Sequence, residues 1–437
     1  MHRTLTPVPM RFLSCSRASS LLASLAALPM VATTMLAQGP VSPGGRATTA
    51  TAAAKAAAPA DPHLARALRV LRTTPLIDGH NDLPWAIRES KSAPRDVDAY
   101  DLRRPTAGHT DLARLAAGRV GGQFWSVYIP GDSSIAAEGY AKVQLEQIDI
   151  AQRVVAKYPE KFEPVTTAAG FRAAFARGRI GSVMGMEGGH AIENSLGALR
   201  AFYAAGARYM TLTHNVTLDW ADAASGAPRH DGLTRFGEEV VREMNRLGML
   251  VDLSHVSPAT MSDALNVTEA PVIFSHSNAR AVADHPRNVP DSILRRLPAN
   301  GGVVMVTFVP GFTSPEVIAW NRVPAAQRPA GVAAPRATLA QVADHIEHVR
   351  LVAGADHVGI GGDFDGIEDV VQGLEDVSRY PALFAELARR GWSDADLRKL
   401  AGENVLRVFS QAEQVAARVQ RTRAPSTKTI AELDGTR

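Results

Sequence analysis

The chain has 437 residues, 46% hydrophobic and 21% charged, an ordinary composition for a globular protein with a large core. Its formal charge of +3 comes from Arg3, Arg11 and Arg17, because the rest of the chain carries 44 basic against 44 acidic residues. This balance gives no support for nucleic acid or an acidic membrane as a partner.

The first 37 residues are predicted to be an export signal. The three arginines precede a mostly apolar run over 21–37, and small and polar residues follow it. An uncleaved membrane anchor is the less favoured alternative, because the run is short for a membrane-spanning helix and Pro29 interrupts it. We therefore expect an exported protein, periplasmic or secreted, with no stable membrane span after the signal is removed. Residues 38–60, rich in Ala, Gly, Pro and Thr, are predicted to be a flexible linker.

From residue 61 to 425, strands alternate with helices, as in a parallel sheet covered by helices. Eight apolar or β-rich runs are predicted as strands: 75–77, 120–129, 180–186, 207–213, 249–253, 271–274, 302–308 and 357–360. Helical patterns cover 138–158, 236–247 and 339–353, and further helices are predicted over 380–390 and 393–417. Eight such units favour an α/β fold of the (β/α)8 TIM-like barrel type with extra C-terminal helices. Residues 426–437 are predicted to be a polar tail.

Metal-binding side chains stand at most of the predicted strand ends, with the first set predicted to lie in the loop just past its strand. They are His80 and Asp82, Glu187 and His190, His214, His255, His276, and Asp363 and Asp365. In a barrel all these ends open onto the face that carries active sites. One histidine in such a place is more often a capping or core group, but six strand ends of this kind together favour a site. Other histidines, such as His63, His109, His230, His345 and His348, show no such placement and are predicted to be surface groups.

Imidazole and carboxylate ligands without thiolates are typical of a catalytic zinc site. The only cysteine, Cys15, lies in the predicted signal, so neither a disulfide nor a thiolate ligand is expected beyond it. The number of ligands exceeds what one tetrahedral ion needs, which favours two ions with Glu187 between them. A water shared by two ions loses a proton near neutral pH and becomes the attacking hydroxide.

The motifs around these residues resemble the membrane (renal) dipeptidase family, zinc dipeptidases of the amidohydrolase superfamily also known as peptidase family M19. The resemblance extends from about residue 73 to 414. It rests on Asp78-Gly-His-Asn-Asp82, Glu187-Gly-Gly-His190, Leu212-Thr-His-Asn215, Asp252-Leu-Ser-His255, Phe274-Ser-His-Ser277, Arg287-Asn-Val-Pro-Asp291 and Gly361-Gly-Asp-Phe-Asp-Gly366.

This resemblance implies two zinc ions per chain, which are the expected cofactors. One would be held by His80 and Asp82 and the other by His255 and His276, with Glu187 bridging. Asp78 and Asn81 are expected to orient the ligands, and Asp365 to support its loop.

The resemblance also implies how a dipeptide substrate is handled. His214 would contact the scissile carbonyl and stabilise the oxyanion, and Asp363 would take a proton from the attacking water and pass it to the leaving amine. Arg287 would bind the substrate's C-terminal carboxylate, the alternative being an ion pair that shapes its own loop. A C-terminal D-residue and a homodimer are further expectations from the family.

Two alternative functions stay open. One is another binuclear amidohydrolase reaction, on N-acyl amino acids or lactams, and the other is a non-catalytic relative that binds metal or peptide. The exit of the seventh strand, 307–312, lacks the Asn- and Tyr-containing version usual in the family, so the pocket lining is expected to differ. Residues 315–335, rich in Ala and Pro, are predicted to be an insertion near the pocket.

Overall fold

The computed structural model describes residues 61–329 and 331–435. The predicted export signal (1–37) and linker (38–60) therefore lie outside the described residues. Within the described part, no helix combines the length and the apolar character needed to cross a membrane.

Eight parallel strands in the described part of the chain close into a barrel. Strand β2 pairs with both β1 and β4, and β1 pairs with β9, so the series β4 to β9 joins back onto itself. The strands are β1 Leu76–Asn81, β2 Val120–Ser126, β3 Phe162–Pro164, β4 Ile180–Glu187, β5 Ala207–Thr211, β6 Leu250–Asp252, β7 Ile273–Phe274, β8 Val303–Val306 and β9 Val358–Ile360. The predicted (β/α)8 barrel is confirmed.

The short strand β3 was not predicted. It pairs with 180–182 of β4, whereas β5 pairs with 184–187 of the same strand. It therefore extends one edge of the barrel without joining the closed ring. Strand β1 also differs from the prediction, because it continues through Asn81, which pairs with Trp125 of β2.

Helices surround the barrel and extend beyond it at the C-terminal end of the chain. They are α1 Pro62–Thr73, α2 Leu83–Arg88, α3 Leu112–Ala117, α4 Ser133–Ala136, α5 Tyr140–Lys157, α6 Ala168–Ala176, α7 Leu196–Ala204, α8 Arg235–Leu247, α9 Pro258–Val267, α10 Asp291–Leu294, α11 Leu297–Asn300, α12 Pro310–Thr313, α13 Pro315–Arg322, α14 Leu339–Ala353, α15 Tyr380–Arg389, α16 Asp394–Arg398, α17 Asn404–Val419 and α18 Ile430–Asp434. Short 3₁₀ turns lie at Gly189–Ile192, Ala325–Gln327, Ala355–His357 and Val377–Arg379.

The predicted long C-terminal helix over 393–417 is interrupted. A π-helical turn, Lys399–Glu403, separates α16 from α17. It passes directly beneath the start of β1, where a Cβ on Gly402 would lie 2.4 Å from the carbonyl oxygen of Pro75. Only glycine fits this approach, and the extra residue of the π turn is the local adjustment that accommodates it.

The helix boundaries follow from capping residues. The Thr338 side chain and Gln341 form a capping box at the start of α14. Helix α8 begins after Thr234, whose hydroxyl accepts from the Gly237 N–H, and ends at Gly248 with φ +82°.

An apolar cluster closes the end of the barrel where the strands begin. Leu250, Ile273 and Val303, each the first residue of its strand, share this cluster with Phe409 of α17. The carboxyl ends of the strands, which α17 does not cover, carry the polar residues described next.

Candidate metal and catalytic site

The side chains predicted from the strand ends converge at the carboxyl end of the barrel. His80 lies within β1, Asp82 directly follows that strand, and Glu187 is the last residue of β4. His255 and His276 follow β6 and β7 by a few residues. All five are at least nine-tenths buried.

Glu187 lies between the two groups of ligands. Its Oε2 is 3.3 Å from His80 Nε2. Its Oε1 is 2.9 Å from His255 Nε2 and 3.4 Å from His276 Nε2. Oε2 thus faces His80 while Oε1 faces His255 and His276, which is the arrangement that a bridging carboxylate requires.

The Nε2 atoms of two histidines, His255 and His276, face each other. His255 Nε2 and His276 Nε2 are 2.8 Å apart. On the far side of the rings, His255 Nδ1 contacts Asn215 Oδ1 at 3.1 Å and His276 Nδ1 contacts Ser275 Oγ at 2.8 Å. The Ser275 hydroxyl donates to Asp252, so its oxygen accepts from the His276 ring. Protons on both Nδ1 atoms leave two Nε2 lone pairs pointing at one spot, which suits a shared metal ion.

The other side of the site contains buried polar atoms without partners among the described residues. His80 Nε2 and Asp82 Oδ1 have no hydrogen bond. Buried polar groups are almost always satisfied, so orphans of this kind indicate a missing ligand. Three groups of donor atoms are close enough to hold an ion: His80, Glu187 and His276; Glu187, His214 and His255; and His80, Asp82 and Asp363. The donor set of imidazoles and carboxylates fits zinc or a similar divalent ion.

A layer of hydrogen bonds orients the candidate ligands. Tyr209 OH lies 2.8 Å from His80 Nδ1. Asp78 Oδ1 accepts from the backbone N–H of His80 and of Gly362, which joins β1 to the exit of β9. Asn81 Oδ1 accepts from the Leu83 N–H and shapes the turn after β1.

The charges in the site are strongly coupled. Burial alone would raise the pKa of Glu187, but His80 and contacts with the other imidazoles hold that pKa well below its usual value. Burial disfavours the protonated form of His80, yet the Tyr209 hydroxyl and the surrounding carboxylates raise its pKa well above normal. Burial lowers the pKa of both His255 and His276 well below normal. The carboxylates therefore attract positive charge, while two neutral imidazoles remain available as ligands.

A cavity of about 400 Å³ opens over this cluster. Its polar lining includes Glu187, His214, His255, Arg287 and Asp363. Its walls are apolar and aromatic, formed by Trp85, Tyr128, Val309, Phe312 and Ile367. The size suits a small molecule with a few polar groups.

Arg287 is 2% exposed, and in the described part of the chain its guanidinium forms no direct ion pair, although the nearby carboxylates of Asp363, Glu187 and Asp252 stabilise its charge. Nη2 donates a long bond of 3.4 Å to the His276 carbonyl, and Nε and Nη1 have no hydrogen-bond partner there. Burial lowers the pKa of Arg287 to about 10, so the guanidinium stays protonated at neutral pH. The predicted alternative was that Arg287 forms an ion pair that shapes its own loop. Among the described residues no carboxylate is paired with Arg287, and Asp291 of the same loop pairs with Arg295 instead.

His214 and Asp363 both border the cavity. His214 Nε2 is 3.8 Å from Glu187 Oε1, and Asp363 Oδ1 is 3.8 Å from His80 Nε2. Burial raises the pKa of Asp363 well above its usual value. Both His255 (φ +68°) and Asp363 (φ +64°) have left-handed backbone conformations, which cost energy in residues other than glycine and are concentrated at functional sites.

Other sequence predictions have mixed outcomes. His190 points away from the cluster, with Nε2 bonded to the Ile129 carbonyl at 3.0 Å. His345, predicted to be a surface group, is fully buried. The described residues of 315–335 include α13 and a 3₁₀ turn. This segment follows α12, which carries Phe312 of the cavity wall, so it lies near the pocket, but its described residues do not line it. Asp365 supports its loop, because Oδ1 accepts from the His109 N–H at 2.6 Å.

The sequence analysis missed the aromatic walls of the cavity. Tyr128 follows β2, and its ring centroid lies 4.8 Å from that of His214 and 4.9 Å from that of Trp85. An aromatic residue at the end of a β-rich run looks like core in a sequence. The only usable signal was the position of Trp85 five residues after His80, on the same face of the barrel.

The comparisons with known proteins agree with this geometry. The model of the family Membrane dipeptidase (Peptidase family M19) matches residues 64–423. The probable dipeptidase PvdM from Pseudomonas aeruginosa has the same fold, with a TM-score of 0.71 at 23% identity over 81% of this chain and 99% of that chain. The dipeptidase AC, a metallopeptidase of family M19, gives a TM-score of 0.67 at 27% identity over 78% of this chain and 99% of its own.

A metallopeptidase from Rhodobacter sphaeroides, liganded with a phosphinate mimic of the dipeptide L-Ala-D-Ala, is also similar. Its TM-score is 0.66 at 26% identity, and the match covers 78% of this chain and 99% of that chain. The chain described here therefore belongs to the membrane dipeptidase family, peptidase family M19, and is a hydrolase of the metallo-dipeptidase type.

Proposed function

We propose that this protein hydrolyses the peptide bond of dipeptides at a site for two zinc ions. His80 and Asp82 would hold one ion, His255 and His276 the other, and Glu187 would bridge them. The observation that carries the proposal is the position of Glu187, whose Oε2 faces His80 while its Oε1 faces His255 and His276.

Two bound zinc ions would supply Lewis acids for the scissile carbonyl and lower the pKa of the attacking water. Asp363 is the candidate for proton transfer. It would accept the proton of the attacking water and deliver it to the amine nitrogen as the C–N bond breaks, which releases a free amino group and a new carboxylate. Its raised pKa suits this role, because a group works best as acid and base when its pKa lies near the working pH.

His214 would stabilise the negative charge that develops on the carbonyl oxygen. Its ring borders the cavity beside Glu187, and burial lowers its pKa, so the ring is neutral in the free protein. A neutral imidazole can donate one N–H to the developing oxyanion.

Arg287 would bind the C-terminal carboxylate of the substrate. Its two unpartnered nitrogens, Nε and Nη1, leave N–H groups free to donate to a carboxylate. With this clamp at one end of a cavity of about 400 Å³ and the metals at the other, a substrate with a single peptide bond fits best.

The substrate range is proposed to include a C-terminal D-residue. The Rhodobacter sphaeroides metallopeptidase was crystallised with a mimic of L-Ala-D-Ala, which supports the same preference in this relative. Export to the periplasm or the medium, removal of the signal and a homodimer stay predictions.

The test is a substrate panel with metal analysis on the same sample. We expect close to two zinc ions per chain and turnover of simple dipeptides, with L- or D-residues at the C-terminal position. His255→Ala should lower both the metal content and the rate. Faster hydrolysis of N-acyl amino acids or lactams would assign the chain to a different amidohydrolase reaction. Full metal occupancy with no turnover would make it a non-catalytic relative.

A further inference from the structure

A buried histidine outside the metal cluster ties together two loops of the active site. His345 lies on α14 and is fully buried. Its Nδ1 accepts from the Ala279 N–H at 3.2 Å, and its Nε2 donates to the Thr313 carbonyl at 3.0 Å. A backbone N–H can only donate and a carbonyl can only accept, so these contacts fix the ring as the neutral tautomer with its proton on Nε2.

The two backbone groups belong to the segments that follow β7 and β8. Ala279 lies in the loop that carries His276 and Arg287. Thr313 is the last residue of α12, next to Phe312 in the wall of the cavity. His345 is therefore a bridge between the loop of the guanidinium and the loop of the aromatic wall.

Two asparagines cross-link the same segments. Asn278 Nδ2 donates to Thr313 Oγ1 at 3.1 Å, and its Oδ1 accepts from the Thr307 N–H at 3.1 Å. Asn288 Nδ2 donates to the Phe312 carbonyl at 2.8 Å. Residues on both sides of Arg287 are thus bonded to the β8 exit.

The position of the Arg287 guanidinium depends on this junction. It lies 5.1 Å from the centre of the Phe312 ring, and its one hydrogen bond is long. The Phe312 ring thus packs against a guanidinium whose Nε and Nη1 have no hydrogen-bond partner among the described residues.

We propose that His345 is a positioning residue for substrate recognition, which holds Phe312 and the Arg287 loop in register so that the guanidinium meets the substrate carboxylate. This inference rests on the proposed function. Burial lowers the pKa of His345 to about 4, so the bridge is intact throughout the neutral range.

The test is a double-mutant cycle on the zinc-loaded protein. The probe is a phosphinate mimic of L-Ala-D-Ala, which carries a carboxylate and is not hydrolysed, and calorimetry gives its dissociation constant. We expect His345→Leu to weaken binding by about tenfold or more, since a displacement of about 1 Å at such a site is costly. Because His345 acts through Arg287, we expect His345→Leu to weaken binding no further in an Arg287→Met background. In dipeptide hydrolysis, KM should rise while kcat stays within about threefold.

Two further variants separate positioning from a general loss of structure. His345→Gln offers one acceptor and one donor on the same side chain and should restore binding. His348→Leu is the matched control on the same helix, because the hydrogen bond of His348 goes to Asp291 rather than to Ala279 or Thr313, and it should leave binding unchanged. If His345→Leu fails to fold, Asn288→Ala, which breaks the bond to the Phe312 carbonyl, should show the same coupling to Arg287→Met.

The inference would be overturned if His345→Leu and Arg287→Met weakened binding of the probe independently, so that their effects multiplied in the double variant. It would also be overturned if His345→Leu protein with full zinc content bound the probe as tightly as the wild type. Its failure is distinguishable from failure of the proposed function. A wild-type protein that binds the probe without hydrolysing dipeptides contradicts the proposed activity alone, whereas one that does not bind the probe contradicts both.

Discussion

At the scale of single residues, the site depends on groups that hold the ligands as much as on the ligands. The Tyr209 hydroxyl lies 2.8 Å from His80 Nδ1, and among the described residues it is the one side chain that forms a hydrogen bond with that ring. Such outer contacts fix the tautomer and the direction of a metal-binding imidazole. Asp363 and Asp365 differ in the same way: Asp363 borders the cavity, whereas Asp365 supports the loop behind it through the His109 N–H.

Tyr209→Phe should weaken metal binding without unfolding the protein. Removal of the hydroxyl leaves His80 Nδ1 without its partner, and losses of this kind typically reduce metal affinity by about 10–100-fold. A chelator titration followed by zinc analysis measures the effect. Tyr203→Phe is the control, because Tyr203 packs on Arg208 outside the site. Equal zinc affinity in both variants would show that the Tyr209 hydroxyl does not orient the ligand.

Asp363→Asn should lower kcat by about 10²–10⁴-fold, because an amide cannot accept and return the proton. Zinc content and affinity for the dipeptide mimic should change little. Asp365→Asn is the matched control and should keep kcat within about threefold, since an amide oxygen can still accept from the His109 N–H. A loss of one zinc from the Asp363 variant would instead make that residue a metal ligand.

At the scale of elements, the C-terminal segment is attached to α8 through a buried ion pair. Glu243 is 1% exposed and contacts Arg246 at 2.7 Å and Arg200 at 2.9 Å. Arg200 also donates to the Ser426 carbonyl, and Asp434 of α18 accepts from the Phe236 N–H at the start of α8. The segment predicted to be a polar tail therefore contains a helix that contacts α8.

Glu243→Gln should lower the free energy of unfolding by about 3 kcal/mol at pH 7, because it leaves buried guanidinium charge without its partner. Burial raises the pKa of Glu243, but its hydrogen bonds to Arg246 and Arg200 outweigh this and lower it. A lowered folded-state pKa means that the stabilisation is complete above the unfolded value of about 4.3 and is lost as pH falls through the folded value. The difference in free energy of unfolding between the wild type and Glu243→Gln should therefore become smaller in acid.

Urea unfolding at pH 7 and in acid measures this difference. Glu238→Gln is the control on the same helix, since its exposed pair with Arg242 should contribute less than about 1 kcal/mol. A difference that stays constant or grows in acid would contradict the assignment.

At the scale of the whole molecule, the candidate metal site draws on distant parts of the barrel. Its candidate ligands come from β1, β4, β6, β7 and their exits, so ions bound there would cross-link strands across the ring. Without a cation, carboxylates and imidazole lone pairs converge in a buried space, which is unfavourable. Metal binding should consequently stabilise the folded chain as a whole.

Removal of metal should lower the melting temperature, and addition of zinc should restore it. Binding at about 1,000 times Kd stabilises by about 4 kcal/mol per site, which corresponds to a change of at least about 5 °C in a chain of this size. Scanning calorimetry with and without chelator measures it. Glu187→Gln, with a weakened bridge, should show a smaller difference. An unchanged melting temperature after complete metal removal would contradict the proposal.

The sequence by itself determined the barrel, the family and the residues available for chemistry. Apolar runs predict buried strands because the alternation of buried and exposed positions can be read from neighbouring residues. The carboxyl ends of barrel strands share one face, so His80 and His276 could be assigned to one site although almost two hundred residues separate them.

The tertiary structure decided where side chains point and what surrounds them. His190 and His214 both follow a strand closely, yet of these two only His214 reaches the cavity. His345 is buried, although the sequence predicted it to be a surface group. The π turn that contains Gly402 and the guanidinium of Arg287, which has no ion-pair partner among the described residues, likewise depend on neighbours from distant strands. Contacts between residues far apart in the chain leave no periodic pattern in its sequence, so packing alone fixes them.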